Sequence, residues 1–248
     1  MKSKVEEKFT EFFEKWISQL EDYLQQLRKL STEHRASKNT PTEQELQALV
    51  SKVTQHYKEY YTVKWALAVE DVLPFFYPIW STPLENAYSW VTGWKPSAVF
   101  KLLDSVRTTS PVLGPSLVEL TQEQQRKIQQ LRAKVRVEKE KVEMEMERQQ
   151  VAVAERKMVE LARLVFRVKT GDKASQVEGL VQVALNGVLS GLVKVMKMAD
   201  CVRLRTMKGT LDILNPLQCV DFLAMITMFQ LQLQQAGKKM DCIRHVNI

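Results

Sequence analysis

The sequence predicts an all-α fold, a single helical bundle of six to eight helices with one long helix that bends or protrudes. The chain has 8 glycines and 8 prolines in 248 residues; glycine is thus about 3%, against roughly 7% in average proteins, so turns are rare and elements long. Apolar residues recur every three or four positions, the period of a helix with one buried face. Thr121–Lys169 lacks glycine and proline and as one straight helix would extend about 70 Å, so we expect a bend or a protruding half.

The first two helices are predicted from an apolar stripe and a cap signal. Large apolar residues at helical spacing fill Val5–Leu30, and the polar segment Ser31–Asn39 follows as a break. Thr40 supplies a cap hydroxyl and Glu43 a capping-box carboxylate, which predicts that a second helix starts there. That helix should continue to a point just before Pro74, which cannot donate a backbone hydrogen bond.

The segment Phe75–Trp94, FFYPIWSTPLENAYSWVTGW, holds three of the five tryptophans and predicts a bent hinge. We expect a short helix over Leu84–Val91, a positive φ at Gly93 and a helix from Pro96 to about Arg107. Buried tryptophans beside prolines and a glycine suit a sharply turned junction. If some of these aromatic side chains remain exposed beside neighbouring lysines, they form a partner-binding patch instead.

The second half of the chain begins after a loop at Thr108–Glu119. Thr121 and Gln124 make a capping-box start for the long helix. Valine and isoleucine partly follow a heptad in this helix, but polar residues occupy later seam positions, which argues against a sustained zipper. The polar seam residues are Glu138, Glu145 and Gln149.

The remaining helices follow a break at Gly171–Lys173. One helix is expected to reach Leu211 or Leu214, where Asn215 and Pro216 interrupt it. Leu217–Gln234 is apolar on nearly every side and predicts a buried helix. From Ala236 onward the sequence suggests a loose basic tail. We therefore expect one domain over residues 1–240 and a flexible tail over residues 241–248.

No arrangement of residues indicates an enzyme or a metal centre. Three widely spaced cysteines, Cys201, Cys219 and Cys242, fit neither a disulfide framework nor a four-ligand zinc site. Phosphate-binding glycine loops, nucleophile elbows and zinc helices are missing from the sequence. We therefore assign no catalytic residue and no cofactor. One alternative is sensing of haem or a small hormone in a helical pocket, with His245 as the haem ligand.

Charge and targeting signals favour an intracellular protein that contacts other macromolecules. The charged start of the chain predicts no secretory signal, and Leu180–Met198 is interrupted by polar residues, so we expect no transmembrane segment. The net charge is +7, and the basic long helix is a candidate surface for a partner protein or for nucleic acid. The residues assigned to that surface are Arg126, Arg132, Arg136 and Lys139.

Residues 80–100, WSTPLENAYSWVTGWKPSAVF, closely resemble the signature of the plant seed-dormancy-control domain, named after the DELAY OF GERMINATION protein. FTEFFEKW at Phe9–Trp16, YKEYYTVKW at Tyr57–Trp65 and ADCVRLRTMKGTLDILNPLQCVDF at Ala199–Phe222 also resemble family segments, so the resemblance covers nearly the whole chain. The residues assigned to the signature and hinge are Trp80, Pro83, Leu84, Glu85, Trp90, Gly93, Trp94, Pro96 and Phe100.

The resemblance implies a non-enzymatic regulator that binds other proteins in transcription or in abscisic-acid and developmental signalling. The implied partners are other regulatory proteins, among them the TGACG-binding leucine-zipper factors that carry the same domain, or signalling phosphatases; a homo-oligomer is also open. The implied location is the nucleus, or nucleus and cytoplasm. Sequence-specific DNA binding through the long basic helix is the alternative, although no basic region and zipper occur in this sequence.

Overall fold

The computed structural model describes residues 3–36, 41–108, 115–153, 159–161, 163–164 and 172–246. These residues form α-helices, one short 3-10 helix and turns, without a strand, which confirms the all-α prediction. The helices are α1 (Lys4–Ala36), α2 (Glu43–Leu67), α3 (Leu73–Phe76), α4 (Pro83–Ala87), α5 (Ser97–Thr108), the 3-10 helix (Pro115–Leu117), α6 (Gln122–Val153), α7 (Asp172–Leu211) and α8 (Pro216–Val246).

The core lies where α1, α2 and α8 pack together. α1 continues to Ala36 and has no break at Ser31, because the Ser31 side chain is buried and donates a 2.5 Å hydrogen bond to Asp221 Oδ1 of α8. α2 is capped by Thr42 with Glu45, two residues later than predicted; Thr40 lies outside the described residues. It ends at Leu67, earlier than the sequence suggested.

α6 and α7 form an antiparallel pair. The Leu131 side chain packs against Gly209, while two ion pairs join the helices, Glu138 to Arg205 at 3.4 Å and Glu145 to Lys194 at 3.2 Å. In these three contacts the residue number rises along α6 while it falls along α7, so the two helices run antiparallel. Glu138 and Glu145, two of the polar residues that argue against a zipper, therefore form ion pairs with α7 of the same chain.

The distal half of this helix pair has little buried surface. Within the described part of the chain, no α7 side chain from Val177 to Lys194 is buried, whereas Val195 and Met196 are fully buried. By length and composition Val177–Leu211 could cross a membrane, with a mean hydropathy of 1.5 in its most apolar window and 11% of that window buried. The absence of a transmembrane segment therefore stays a prediction.

α8 extends further than the sequence suggested. The expected loose tail from Ala236 is wrong for the backbone, which is helical to Val246. This part of α8 lies against Thr82, at the start of α4. A Cβ atom at position 237 would come within 2.1 Å of Thr82 Oγ1 and 2.6 Å of Thr82 Cβ. Only glycine permits this close approach between α8 and α4.

Candidate functional site

The aromatic segment between α2 and α5 forms a sharp junction. Thr82 caps α4 by a capping box with Glu85, and Pro83 occupies the first turn. α4 ends at Ala87, before the predicted end at Val91, and Val91 itself adopts a left-handed φ of 60° that a helix does not allow. The predicted positive φ at Gly93 is present, with a value of 159°. α5 then begins at Ser97, close to the predicted start.

A buried ion-pair network lies beneath this junction. Asp200 of α7 accepts hydrogen bonds at Oδ1 from Lys64 Nζ (3.0 Å) and Arg203 Nη1 (2.6 Å). Its Oδ2 accepts from Trp65 Nε1 at 3.0 Å. The three charged side chains are at most 1% exposed. Such deeply buried charges persist only when they are paired and hydrogen-bonded.

The two cations also hold the backbone of the junction. Arg203 donates from Nε to the Trp94 carbonyl at 2.7 Å and from Nη2 to the Trp90 carbonyl. Its guanidinium also lies 5.3 Å from the Trp90 ring centroid, a cation–π contact. Lys64 donates to the carbonyl and the hydroxyl of Thr92 at 3.1 and 2.9 Å. The network therefore joins α2 and α7 to residues 90–94.

Val91 shows that this turn is strained. A β-branched residue at positive φ is a backbone outlier, at a cost of about 1–2 kcal/mol for the left-handed region. The flanking bonds oppose relaxation, since Trp90 N–H donates to the Gly93 carbonyl at 2.6 Å and the carbonyls on both sides bind Arg203 and Lys64. Strain of this kind persists where the surrounding structure fixes the backbone.

The predicted hinge residues lie around this network with different degrees of burial. Trp90, Pro96 and Phe100 are buried, and Trp90 Nε1 donates to Glu143 of α6 at 2.9 Å. Partly buried are Trp80, Leu84, Glu85, Gly93 and Trp94, whereas Pro83 is exposed. The exposed aromatic side chains nearby are Tyr77 and Tyr88. The junction is thus largely an internal structure with an aromatic rim.

Sequence reasoning missed the charged residues that organise the site. Lys64 occupies an apolar-stripe position of α2, one turn after Tyr60 and Tyr61, which was the available signal for a buried cation. Asp200 and Arg203 are three residues apart in α7, a spacing that puts an acid and a base on one helix face. Neither pattern reveals that the two helices meet.

A cavity of about 430 Å³ opens beside the network. Its walls are rich in aromatic side chains, and Lys64, Asp200 and Arg203 also line it. Tyr61 accepts a hydrogen bond from Trp94 Nε1 at 3.2 Å. Burial raises the pKa of both Tyr60 and Tyr61 above the usual value for tyrosine, so these hydroxyls are neutral at physiological pH. The aromatic residues that line the cavity include Phe13, Trp16, Tyr57, Tyr60, Tyr61, Phe75, Trp80, Trp94 and Phe229.

The four cations predicted as a partner or nucleic-acid surface each face a carboxylate. Arg126 binds Glu123, Arg136 binds Glu140 and Lys139 binds Glu143, at 2.8, 3.0 and 2.7 Å. Arg132 binds Asp104 of α5 at 2.8 Å and lies 5.4 Å from the Phe100 ring centroid. Their charges are therefore largely compensated within the chain, and their role as a surface stays a prediction.

The histidines and cysteines form no metal cluster in the described part of the chain. His56 is buried, where its Nε2 lies 2.9 Å from the Trp16 carbonyl and its ring stacks on the Trp16 indole. Desolvation lowers its pKa. The His245 side chain lies outside the described residues. The haem alternative therefore stays a prediction.

Comparisons with known proteins match the sequence of this chain to one family. The family model described as Seed dormancy control matches residues 23–105, which run from α1 to α5 and include the junction. Protein DOG1-like 4 of Arabidopsis thaliana is 50% identical over 245 residues, which are 99% of this chain and 98% of that protein. The chain belongs to the seed-dormancy-control family. The predicted family is confirmed.

The chain is also similar to two further plant proteins. Protein RESPONSE TO ABA AND SALT 1 of Arabidopsis thaliana is 28% identical over 93% of this chain and 95% of its own length. The TGACG-sequence-specific DNA-binding protein TGA-2.1 of Nicotiana tabacum is 28% identical over 47% of this chain and 24% of its own length. The similarity to TGA-2.1 is thus partial for both chains.

The buried position of Lys64 predicts a pH dependence of stability. Desolvation, opposed by Asp200, lowers the Lys64 pKa from 10.5 to about 8. Between these values the unfolded chain holds a proton that the folded chain has released, so rising pH favours the folded state. The unfolding free energy of wild type minus that of Lys64→Met should rise by about 1–2 kcal/mol from pH 7.5 to 9.5. Urea unfolding at each pH measures it, and a flat or falling difference would contradict the assignment.

Proposed function

We propose that this member of the seed-dormancy-control family is a non-enzymatic regulatory protein. It acts by binding other proteins in transcription or in abscisic-acid and developmental signalling, in the nucleus or in nucleus and cytoplasm. The partners proposed are other regulatory proteins, among them TGACG-binding leucine-zipper factors or signalling phosphatases. The names of two relatives support this context, one for its response to abscisic acid and salt and the other for TGACG-sequence-specific DNA binding.

One observation carries the non-enzymatic part of the proposal. The charged groups at the centre of the site are occupied in holding the fold, since Asp200 accepts from three donors and Lys64 donates to three acceptors. A general acid or base needs a free position from which to reach a substrate. The ionisable groups of this network have a structural use instead, and the surface of the bundle is left for recognition.

Affinity purification tests this proposal directly. The tagged full chain, isolated from plant nuclei after nuclease treatment, should retain specific proteins in near-stoichiometric amounts, with a leucine-zipper factor or a phosphatase among them. Purified candidates should then bind the chain pairwise in solution. Recovery of no protein beyond the tag-only control would contradict a role in protein binding.

Direct DNA binding is distinguished by its salt dependence. Binding through phosphate neutralisation gives a log-log slope of about −0.9 per phosphate contacted. A mobility shift of a TGACG duplex with that steep salt dependence, without any retained protein, would favour the DNA alternative. The internal pairing of the four α6 cations is an argument against it.

The aromatic cavity favours ligand sensing as a second candidate function. Its volume of about 430 Å³ is within the range of small-molecule sites, which are mostly apolar with a few polar groups. Because the tyrosine hydroxyls are neutral and the hydrogen bonds of Lys64, Asp200 and Arg203 are used internally, this part of the cavity suits a weakly polar, largely apolar molecule.

A cavity-filling variant tests the ligand candidate. Ala98 lines the cavity, so Ala98→Phe should weaken the binding of hemin or of a polarity-sensitive naphthalene dye at least tenfold, measured by absorbance or fluorescence titration. Ala133→Phe, at an exposed position of α6, is the matched control and should leave binding unchanged. Hemin binding that His245→Ala removes and Ala98→Phe does not would place hemin at the end of α8 and exclude the cavity.

A further inference from the structure

A groove runs between α6 and α7 on one side of the antiparallel pair. Its walls include Lys141 and Val142 of α6 and Lys197, Met198 and Val202 of α7. The two interhelical ion pairs described above, Glu138 with Arg205 and Glu145 with Lys194, lie toward its two ends. We refer to this surface as the α6–α7 groove.

Positive charge dominates the α6–α7 groove. Four cations line it, Lys141, Lys194, Lys197 and Arg205, against the single carboxylate of Glu138. Lys194 and Arg205 are used in the interhelical ion pairs. Among the residues that the structure describes, neither Lys141 nor Lys197 forms an ion pair with a carboxylate within 4.0 Å. Of the described α6 cations, only Lys134 and Lys141 lack such an ion pair, and Lys141 lies in the groove, whereas the four predicted cations are all paired.

The floor of the α6–α7 groove is apolar. Val142 and Val202 are 1% and 3% exposed, and the side chains of Val193 and Met198 are partly buried beside them. Methionine adapts its shape to different apolar partners. A surface with unpaired cations above an apolar floor is complementary to a segment that carries both acidic and apolar side chains.

We propose that the α6–α7 groove binds an acidic, amphipathic helical segment of a partner protein. Apolar side chains of that segment lie on Val142 and Met198, and its carboxylates pair with Lys141 and Lys197. The α7 wall runs from Ser190 to Arg205, about 22 Å at 1.5 Å per residue, which is the length of roughly four helical turns. This inference rests on the proposed function in protein binding and names the chemistry of the partner.

The same observations disfavour a nucleic acid in this groove. Glu138 and Glu145 pair with Arg205 and Lys194, so two of the four cations that line the groove are not free to bind phosphate groups. Nucleic-acid backbones are bound mainly by charge and hydrogen bonds, so the apolar floor would gain nothing from them. A helix with carboxylates and leucines uses both properties of the groove.

A model peptide and two charge-reversal variants test the proposal. The probe is a fluorescent, N-acetylated peptide of about 16 residues with glutamate and leucine on one helix face. It should bind the full wild-type chain, and Lys141→Glu with Lys197→Glu should weaken this binding at least tenfold. Lys134→Glu with Lys208→Glu makes the same charge change at exposed positions of the same two helices and should leave binding within about twofold. Fluorescence anisotropy measures all three chains.

Thiol protection gives a readout that needs no variant. Cys201 lines the α6–α7 groove and is partly buried, whereas Cys242 is exposed. Bound peptide should slow alkylation of Cys201 by N-ethylmaleimide at least fivefold and leave Cys242 unchanged, as followed by mass spectrometry. Unchanged protection of Cys201, or equal peptide binding by the two reversal variants, would overturn the proposal.

Control ligands separate this proposal from other occupants and from the proposed function. A peptide with glutamine in place of glutamate should not bind measurably. Groove-dependent binding of a DNA duplex or an anionic phosphatidylserine vesicle, without binding of the acidic peptide, would overturn the assignment to a protein partner. If the groove variant retains every natural partner and wild type does not bind the peptide, the groove proposal fails and the proposed function stands.

Discussion

The requirement to pair a buried carboxylate with two buried cations determines how the central part of this protein is built. Asp200, Lys64 and Arg203 come from α7 and α2 and are removed almost completely from water. A buried ion pair is weak evidence for stability, since apolar residues of similar volume often stabilise a core as well. Its effect here is geometric, because the remaining donors of both cations bind the backbone carbonyls of residues 90–94 and fix a strained turn.

The fixed turn connects the two parts of the molecule that we associate with recognition. Trp90 reaches Glu143 of α6, and Glu143 in turn holds Lys139, so the junction also positions the helix that forms one wall of the α6–α7 groove. On the other side Thr92, Gly93 and Trp94 of the same turn line the aromatic cavity. Hydrogen bonds and packing thus connect the network to both surfaces.

Much of the helical architecture was predictable, because capping residues, proline positions and apolar periodicity act over a few residues. The capping box at Thr121 and Gln124 and the breaks before α5 and α8 follow from such local signals. The failures are tertiary. Ser31 continues α1 through its bond to Asp221, and α8 is helical beyond Ala236 where it lies on α4. The ion-pair network was missed for the same reason, since no local pattern shows that α2 and α7 meet.

Amide hydrogen exchange in Arg203→Lys tests the central role of the network most directly. Lysine keeps the charge that Asp200 requires but cannot donate to the Trp90 and Trp94 carbonyls in the fixed planar geometry of arginine. The account predicts a selective loss of protection over residues 88–96, with the buried amides of α1 and α8 still protected. Protection over residues 88–96 equal to that of wild type would show that the turn holds its shape without Arg203 and would contradict the account.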